Sequence, residues 1–338
     1  MFWSFLLPLC LAGQATAAGT QPQVPIYFEL IMDRGFPVGE ERVWLEQLAK
    51  IPGVSIRIRA AELGEQPKIE REGRGWRVLG RLTAANRLVL PGAQFALGDQ
   101  AALAGYVTRL RNDGPDAVTL PPGPFGLTEQ NFKELFEKLQ PPVGQSTANM
   151  PVDEFVRMVA RRSGLAIEPA PDVLAQWATS RVQDELSELS LGTALAAAVR
   201  PWGWVVTVDR SGGMTRLRVV PPDQARGYWP IGYQPEGTVR RTLPALFTFL
   251  TVEITDTPLS DVLEAVRGRL RVPILVDHNG LAREGIRLEE VQVTLPSTRT
   301  YYKRILDQAL SKARLRVELR VDEGGRPFLW VVPIRQSP

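Results

Sequence analysis

Thr251-Val252-Glu253-Ile254-Thr255, followed by Asp256-Thr257-Pro258-Leu259-Ser260-Asp261-Val262-Leu263-Glu264-Ala265-Val266, is the stretch from which the fold can be read. Val252 and Ile254 alternate with Glu253 and Thr255, the two-residue period of a strand with one wet face. Thr257-Pro258 predicts a helix N-cap and a proline at the first helical position, where the missing N–H costs nothing. Leu259, Val262, Leu263 and Val266 then fall at i, i+3, i+4 and i+7, one apolar stripe along a helix. After Gly268, where a turn is expected, Val272 to Val276 predicts a second strand. The stretch offers packing surfaces and no reactive constellation.

Working outward, the same signals occur earlier in the chain. Pro151, Val152, Phe155, Val156 and Val159 stand 107 positions before Pro258, Leu259, Val262, Leu263 and Val266. Gly164 to Ile167 leads into a strand as Gly268 to Val276 does. A second helix repeats as well: Ala194, Leu195, Ala198 and Val199 precede Ile305, Leu306, Ala309 and Leu310 by 111 positions. Each copy ends in a hairpin expectation, one turning at Ser211-Gly212-Gly213 and one at Gly324-Gly325. Matched stripes in matched order predict a duplicated unit.

The expected class is therefore α+β, with tandem small α/β modules at 150–221 and 247–333. An N-terminal α/β domain is expected at 24–116. It comprises a strand at Ile26 to Met32, a helix from Val43 to Ala49, and a strand at Val54 to Ile58. A hairpin about Gly73-Arg74-Gly75, a strand at Leu88 to Leu90 and a helix from Asp99 to Leu110 complete it. Residues 117–149 are expected to be a Pro-rich linker around a short helix, Glu129 to Leu139. Residues 222–246 form a second linker.

The order strand-helix-strand-strand-helix-strand-strand is clearest from Phe247 to Pro333. It is carried there by Leu259-Ser260-Asp261-Val262-Leu263 and Ile305-Leu306-Asp307-Gln308-Ala309-Leu310. This pattern resembles the short N-terminal domain shared by secretins and TonB-dependent receptors, with residues 150–221 as a fainter copy. The resemblance implies periplasmic protein–protein interaction units rather than an enzyme. The pore-forming barrel of that family does not follow Pro333, so the expectation is an accessory or scaffold protein built from such modules.

The first residues agree with export. Phe2 to Ala12 is apolar except for Ser4 and Pro8, and Ala15-Thr16-Ala17 has the small-x-small pattern of signal cleavage, giving a signal peptide over 1–18. A retained anchor is the alternative. No other segment is long and apolar enough for a membrane helix. The only cysteine, Cys10, lies in that segment, so a processed chain would carry no disulfide. A net charge of +3 with both signs interspersed gives no dedicated phosphate-binding surface, which argues against nucleic acid. The expected location is the periplasm or cell envelope and the expected partner an envelope protein; an oligomer is compatible with the same reading.

Candidate chemistry is sparse. His278, the one histidine, sits in Asp277-His278-Asn279-Gly280 and reads as a polar turn with Asn279-Gly280 at positive φ. One histidine and no processed cysteine leave too few ligands for zinc, and no cofactor motif is present. Asp153-Glu154 and Glu289-Glu290 are adjacent pairs whose side chains diverge, so neither reads as an acid–base couple. Asp153 and Glu154 instead suit a helix N-terminus. The open edge of the hairpin Leu315 to Val332 is the preferred partner site. Phe328, Trp330 and Val332 are expected on one face, and Arg316, Glu318 and Arg320 on the other. Trp229 and Tyr233, in the second linker, either pack on neighbouring modules or form an exposed aromatic platform. The competing expectation is a periplasmic hydrolase or other enzyme using the N-terminal domain and its junction with the repeats, with a polar pocket, for example near Glu29 and Asp33.

Overall fold

The computed structural model describes residues 24–62, 64–211 and 213–334. The expected signal peptide and Cys10 lie outside them. The chain divides into two compact units, Met1–Pro121 and Pro122–Pro338, placing the division a few residues beyond the expected 116. The class is mixed α+β.

In the first unit, β1 (Ile26–Met32), α1 (Glu40–Ala49), β2 (Val54–Ala60), β3 (Lys68–Glu72), β4 (Gly75–Leu82), β5 (Leu88–Leu90), β6 (Ala93–Phe95), α2 (Gln100–Asp113) and α3 (Asp116–Thr119) follow in order. Strand β1 lies between β2 and β4, parallel to both, and the sheet runs β2-β1-β4-β5-β6 with β3 hydrogen-bonded to β4. Ile26, Phe28 and Leu30 alternate into a core shared with Trp44, Tyr106 and Leu110. Gly80 lets that core close: a Cβ there would stand 2.5 Å from Leu90 Cδ2 and 2.9 Å from Leu30 Cδ2.

The second unit begins with α4 (Glu129–Leu139), then α5 (Val152–Ser163), β7 (Ile167–Pro169), α6 (Pro171–Trp177), α7 (Leu191–Val199), β8 (Val205–Ser211) and β9 (Met214–Val220). The short α8 (Val239–Thr242) precedes β10 (Phe249–Pro258), α9 (Leu259–Leu270), β11 (Ile274–Val276) and α10 (His278–Arg283). Then come β12 (Gln292–Tyr301), α11 (Tyr302–Ser311), β13 (Leu315–Val321) and β14 (Pro327–Pro333). Two three-stranded sheets result, β7-β9-β8 and β11-β14-β13. In each, a short strand pairs parallel with the last strand of its module, which closes an antiparallel hairpin with the strand before it.

The modules differ where proline intervenes. In the second, β10 and β12 form a ten-residue antiparallel ribbon with two register shifts. In the first, the corresponding ground holds two isolated bridges, Pro142↔Ser190 and Pro151↔Arg181. Pro141, Pro142 and Pro151 have no N–H to give a ladder, so the ribbon is reduced to scattered bonds such as Val143 N to Leu189 O at 2.8 Å.

The opening stretch is placed nearly as read, with two corrections. Pro258 is the N-cap itself (φ −53, ψ 141) and still pairs with Gln292, while the Thr257 hydroxyl donates to Thr255 O instead of capping the helix. Gly268 does not turn the chain. Helix α9 runs on because Leu270 extends its buried stripe, and it ends at Arg271 in the left-handed region, φ 51. Gly164 ends α5 in the same conformation, φ 67, so its counterpart is Arg271 rather than Gly268.

Residues 122–149 are no free linker. Leu127, Leu135, Leu139 and Val143 are buried in the first module's core, beside Phe155, Leu195 and Trp229. The amphipathic stripe of α4 explains this: an apolar face on a short helix is stable only against another surface.

Candidate functional site

The residues picked out in the closing hairpin meet at the junction of the two modules. Register places Arg316 opposite Val332, Glu318 opposite Trp330 and Arg320 opposite Phe328. Directly opposed residues of an antiparallel pair project to one side, so the expected two faces are a single face. The other side, with Leu315, Leu329 and Val331, covers the second module's own core.

That shared face is not free for a partner at its aromatic end. Phe328 is fully buried and Trp330 is 4% exposed, both within the hydrophobic cluster of the first module. Gly232 makes the fit possible: at φ +66, a Cβ there would lie 2.4 Å from Phe328 Cζ. Trp229 is 2% exposed, stacked on Phe125 at 5.8 Å and flanked by Phe132 and Phe136. Its amide donates to Val206 O and its indole N–H to Glu323 Oε1, each at 2.6 Å. The exposed-platform alternative for Trp229 is thereby excluded. Tyr233 is half-buried, packed on Phe136 and bonded through its backbone to Val321; burial pushes its phenol well above the usual range.

The joint turns on the start of α7. This helix, Leu191-Gly-Thr-Ala-Leu-Ala-Ala-Ala-Val199, is buried along its whole length and carries no acid in its first turn. A helix apolar on every side needs cover on every side, and its first amides need acceptors. The β13–β14 turn brings both. Ser190 N donates to Asp322 Oδ2 at 2.7 Å, and Thr193 donates to Glu323 Oε2 through its amide (3.1 Å) and its hydroxyl (2.9 Å). Two carboxylates thus sit on the positive end of a buried helix. Gly192 is the clearance, since a Cβ would reach 2.5 Å from Glu323 Oε1 and 2.7 Å from Trp229 Nε1. Burial pushes the Glu323 carboxyl up, against the hydrogen bonds from Trp229 and Thr193 that favour its charge. Arg200 to Asp277 at 3.2 Å and His278 Nε2 to Asp184 at 3.2 Å join the modules further along. His278 therefore does not sit in a turn: it opens α10, whose N-cap Asp277 accepts from Gly280 N, and Gly280 is not at positive φ.

Beyond this joint the modules diverge into a cleft of about 1340 Å³. Arg200, Arg283, Lys312, Arg314, Arg316 and Arg320 line it, against the acids Asp277, Glu284 and Glu318. Asp277 is engaged by Arg200, and Glu318 accepts from Arg316 at 2.6 Å and Arg320 at 2.7 Å. Burial would raise the Glu318 carboxyl, but the bonds from Arg320 and Arg316 outweigh it and hold it below the usual range. Cation is left in excess, beside exposed Tyr228 and the rims of Trp204 and Trp330. Such a lining attracts negative charge and offers aromatic contact.

The carboxylates singled out in the first unit are already engaged. Glu29 accepts from Arg59 Nε at 2.7 Å, and Asp33 lies 3.5 Å from Arg81. Hydrogen bonds from Arg59 hold Glu65 at about 2 beside them. This cluster is a charge lattice on a sheet face. Among the described residues no three His, Cys, Asp or Glu converge as a metal would require, and no helix is long and apolar enough to cross a membrane.

Asp322, Glu323 and Thr193 were missed in the sequence. Their available signal was an all-apolar helix opening Ser190-Leu191-Gly192-Thr193 with no acid of its own, matched by two acids at a hairpin tip. Comparison of the chain with protein-family models, curated proteins and solved structures gives no match.

Proposed function

We propose that the protein is an exported, non-catalytic interaction or assembly module of the bacterial envelope, serving a secretion or uptake apparatus. The apolar run from Phe2 to Ala12 and its small-x-small sequel support export. The carrying observation is the cationic cleft between two interlocked modules, whose acids Asp277 and Glu318 are held by arginine. A cleft of this kind recognises charge on a partner, and its engaged carboxylates are poorly placed to move protons.

Fractionation of the native host should find the chain in the envelope. Affinity capture with the full chain should recover a specific partner, released by moderate salt and lost on Arg316→Glu/Arg320→Glu. Turnover by the purified chain in a hydrolase panel, with no partner recovered, would defeat the reading.

A further inference from the structure

The edge of β13 is part-occupied from within the chain, and the manner of its occupation exposes what is left. Val321 donates its N–H to Tyr233 O at 2.9 Å, and its C=O accepts from Tyr233 N at 2.7 Å. Both groups of Val321 therefore point away from β14. Strand period then turns the N–H and C=O of Leu319 and Val317 outward too, since the pairing from Leu315 to Val321 has no register shift. The other side of the ladder agrees: Leu329 and Val331 bond outward to Pro273 and Asp277. Among the described residues no hydrogen bond from outside the β13–β14 ladder reaches the backbone N–H or C=O of Val317 or Leu319.

The internal strand stops for a chemical reason. Continuing antiparallel from Tyr233↔Val321, the next outward pair would be residue 235 with Leu319, and residue 235 is proline. Pro235 has no N–H to offer, so the chain leaves the edge there. The space between the departing segment and the strand is a groove of about 320 Å³, lined by Gln234, Pro235, Val239 and Leu319 and by the row Arg316, Glu318, Arg320. Any strand laid in it would turn alternate side chains toward Arg316 and Arg320, at the mouth of the cationic cleft. The intervening ones would face Val317 and Leu319, which lie against the second module's core.

We propose that the Val317–Leu319 edge accepts an extended, alternately acidic and apolar segment of a partner protein, continuing the ladder that Tyr233 begins. Rows of open backbone groups recruit a strand of any sequence, and the alternation of side chains selects it. The proposal rests on the interaction reading above and names the partner's chemistry.

The probe is a short synthetic peptide of alternating Glu and Val, with a Lys–Val peptide as its counterpart, added to the full chain. The Glu–Val peptide should bind and slow amide exchange at Val317 and Leu319. Val317→Pro, whose lost N–H faces outward, keeps the β13–β14 ladder and should abolish binding. Arg316→Glu/Arg320→Glu should weaken it about tenfold. Should the proline variant not fold, the exchange measurement and the charge reversal still decide. Equal binding of the Lys–Val peptide, unchanged exchange at both amides, or self-association of the chain that Val317→Pro removes would overturn the proposal. Those results would leave the interaction reading standing, whereas hydrolase turnover would defeat that reading without bearing on the edge.

Discussion

Gly192 is the smallest residue in the joint and the least replaceable. In an ordinary helix interior Gly→Ala is favourable by about 1 kcal/mol. Here the added methyl would collide with Glu323 and Trp229, so Gly192→Ala should destabilise the full chain by about 2 kcal/mol. A rise in melting temperature would contradict the packing described. Glu323 makes a second test, with a definite sign. Its native carboxyl is raised above 4.5 by burial, so from 4.5 up to that raised value the native state keeps a proton that the unfolded state loses. Stability from this group therefore falls as pH rises through the window. Glu323→Gln lacks that dependence, and parallel stability–pH curves for the two proteins would sink the assignment. Glu185 has the opposite sign. Burial would raise it, but hydrogen bonds from Ser146, Ser187 and Thr147 hold it at about 2, so its contribution is present above 4.5 and lost as pH falls toward 2. Glu185→Gln should cost roughly 1–3 kcal/mol at neutral pH and flatten the acid limb of the unfolding profile.

Helix ends show what sequence can and cannot disclose about an element. The stripes of α5 and α9 were legible because burial repeats with the helical period, and all four positions of each stripe are buried. The end of α9 was not, because Gly268 carries the local signal of a stop while the stop itself is set by Leu270 reaching the core. Arg271 bears the consequence. It holds a left-handed backbone that costs a side-chain-bearing residue about 1 kcal/mol or more. Arg271→Gly, at an exposed site, should therefore stabilise the chain by a few tenths to about 1 kcal/mol, read as a higher denaturant midpoint with an unchanged slope. The hairpin taught a different lesson. Its strands were legible, but assigning its two residue rows to opposite faces required a register that the alternation of each strand cannot supply alone. Trp330 reads as core more readily than as surface, and it is buried, but which core it joins depends on its cross-strand partner.

At the scale of the molecule, the sequence disclosed the mixed α+β class but not that the closing hairpin would bury Phe328 and Trp330 in the core of residues 127–229. Residues 122–149 looked like linker because prolines bracket them, yet α4 buries Leu135 and Leu139 beside the packed rings around Trp229. A chain starting at Met150 should accordingly unfold at markedly lower temperature than one starting at Pro122, with roughly 1.5–3 kcal/mol lost for each buried leucine removed. Equal stability of the two would mean that the segment only decorates the surface. The cap of α7 has a consequence in time. Its acceptors, Asp322 and Glu323, lie 132 and 130 residues downstream of Ser190 and Thr193. When synthesis has reached only residue 246, the amides of Ser190 and Thr193 and the indole of Trp229 have no acceptor but water, and closing so distant a contact is slow. The module made first is thus the one completed last, and until the final hairpin arrives the half-made chain remains open to whatever holds nascent polypeptides.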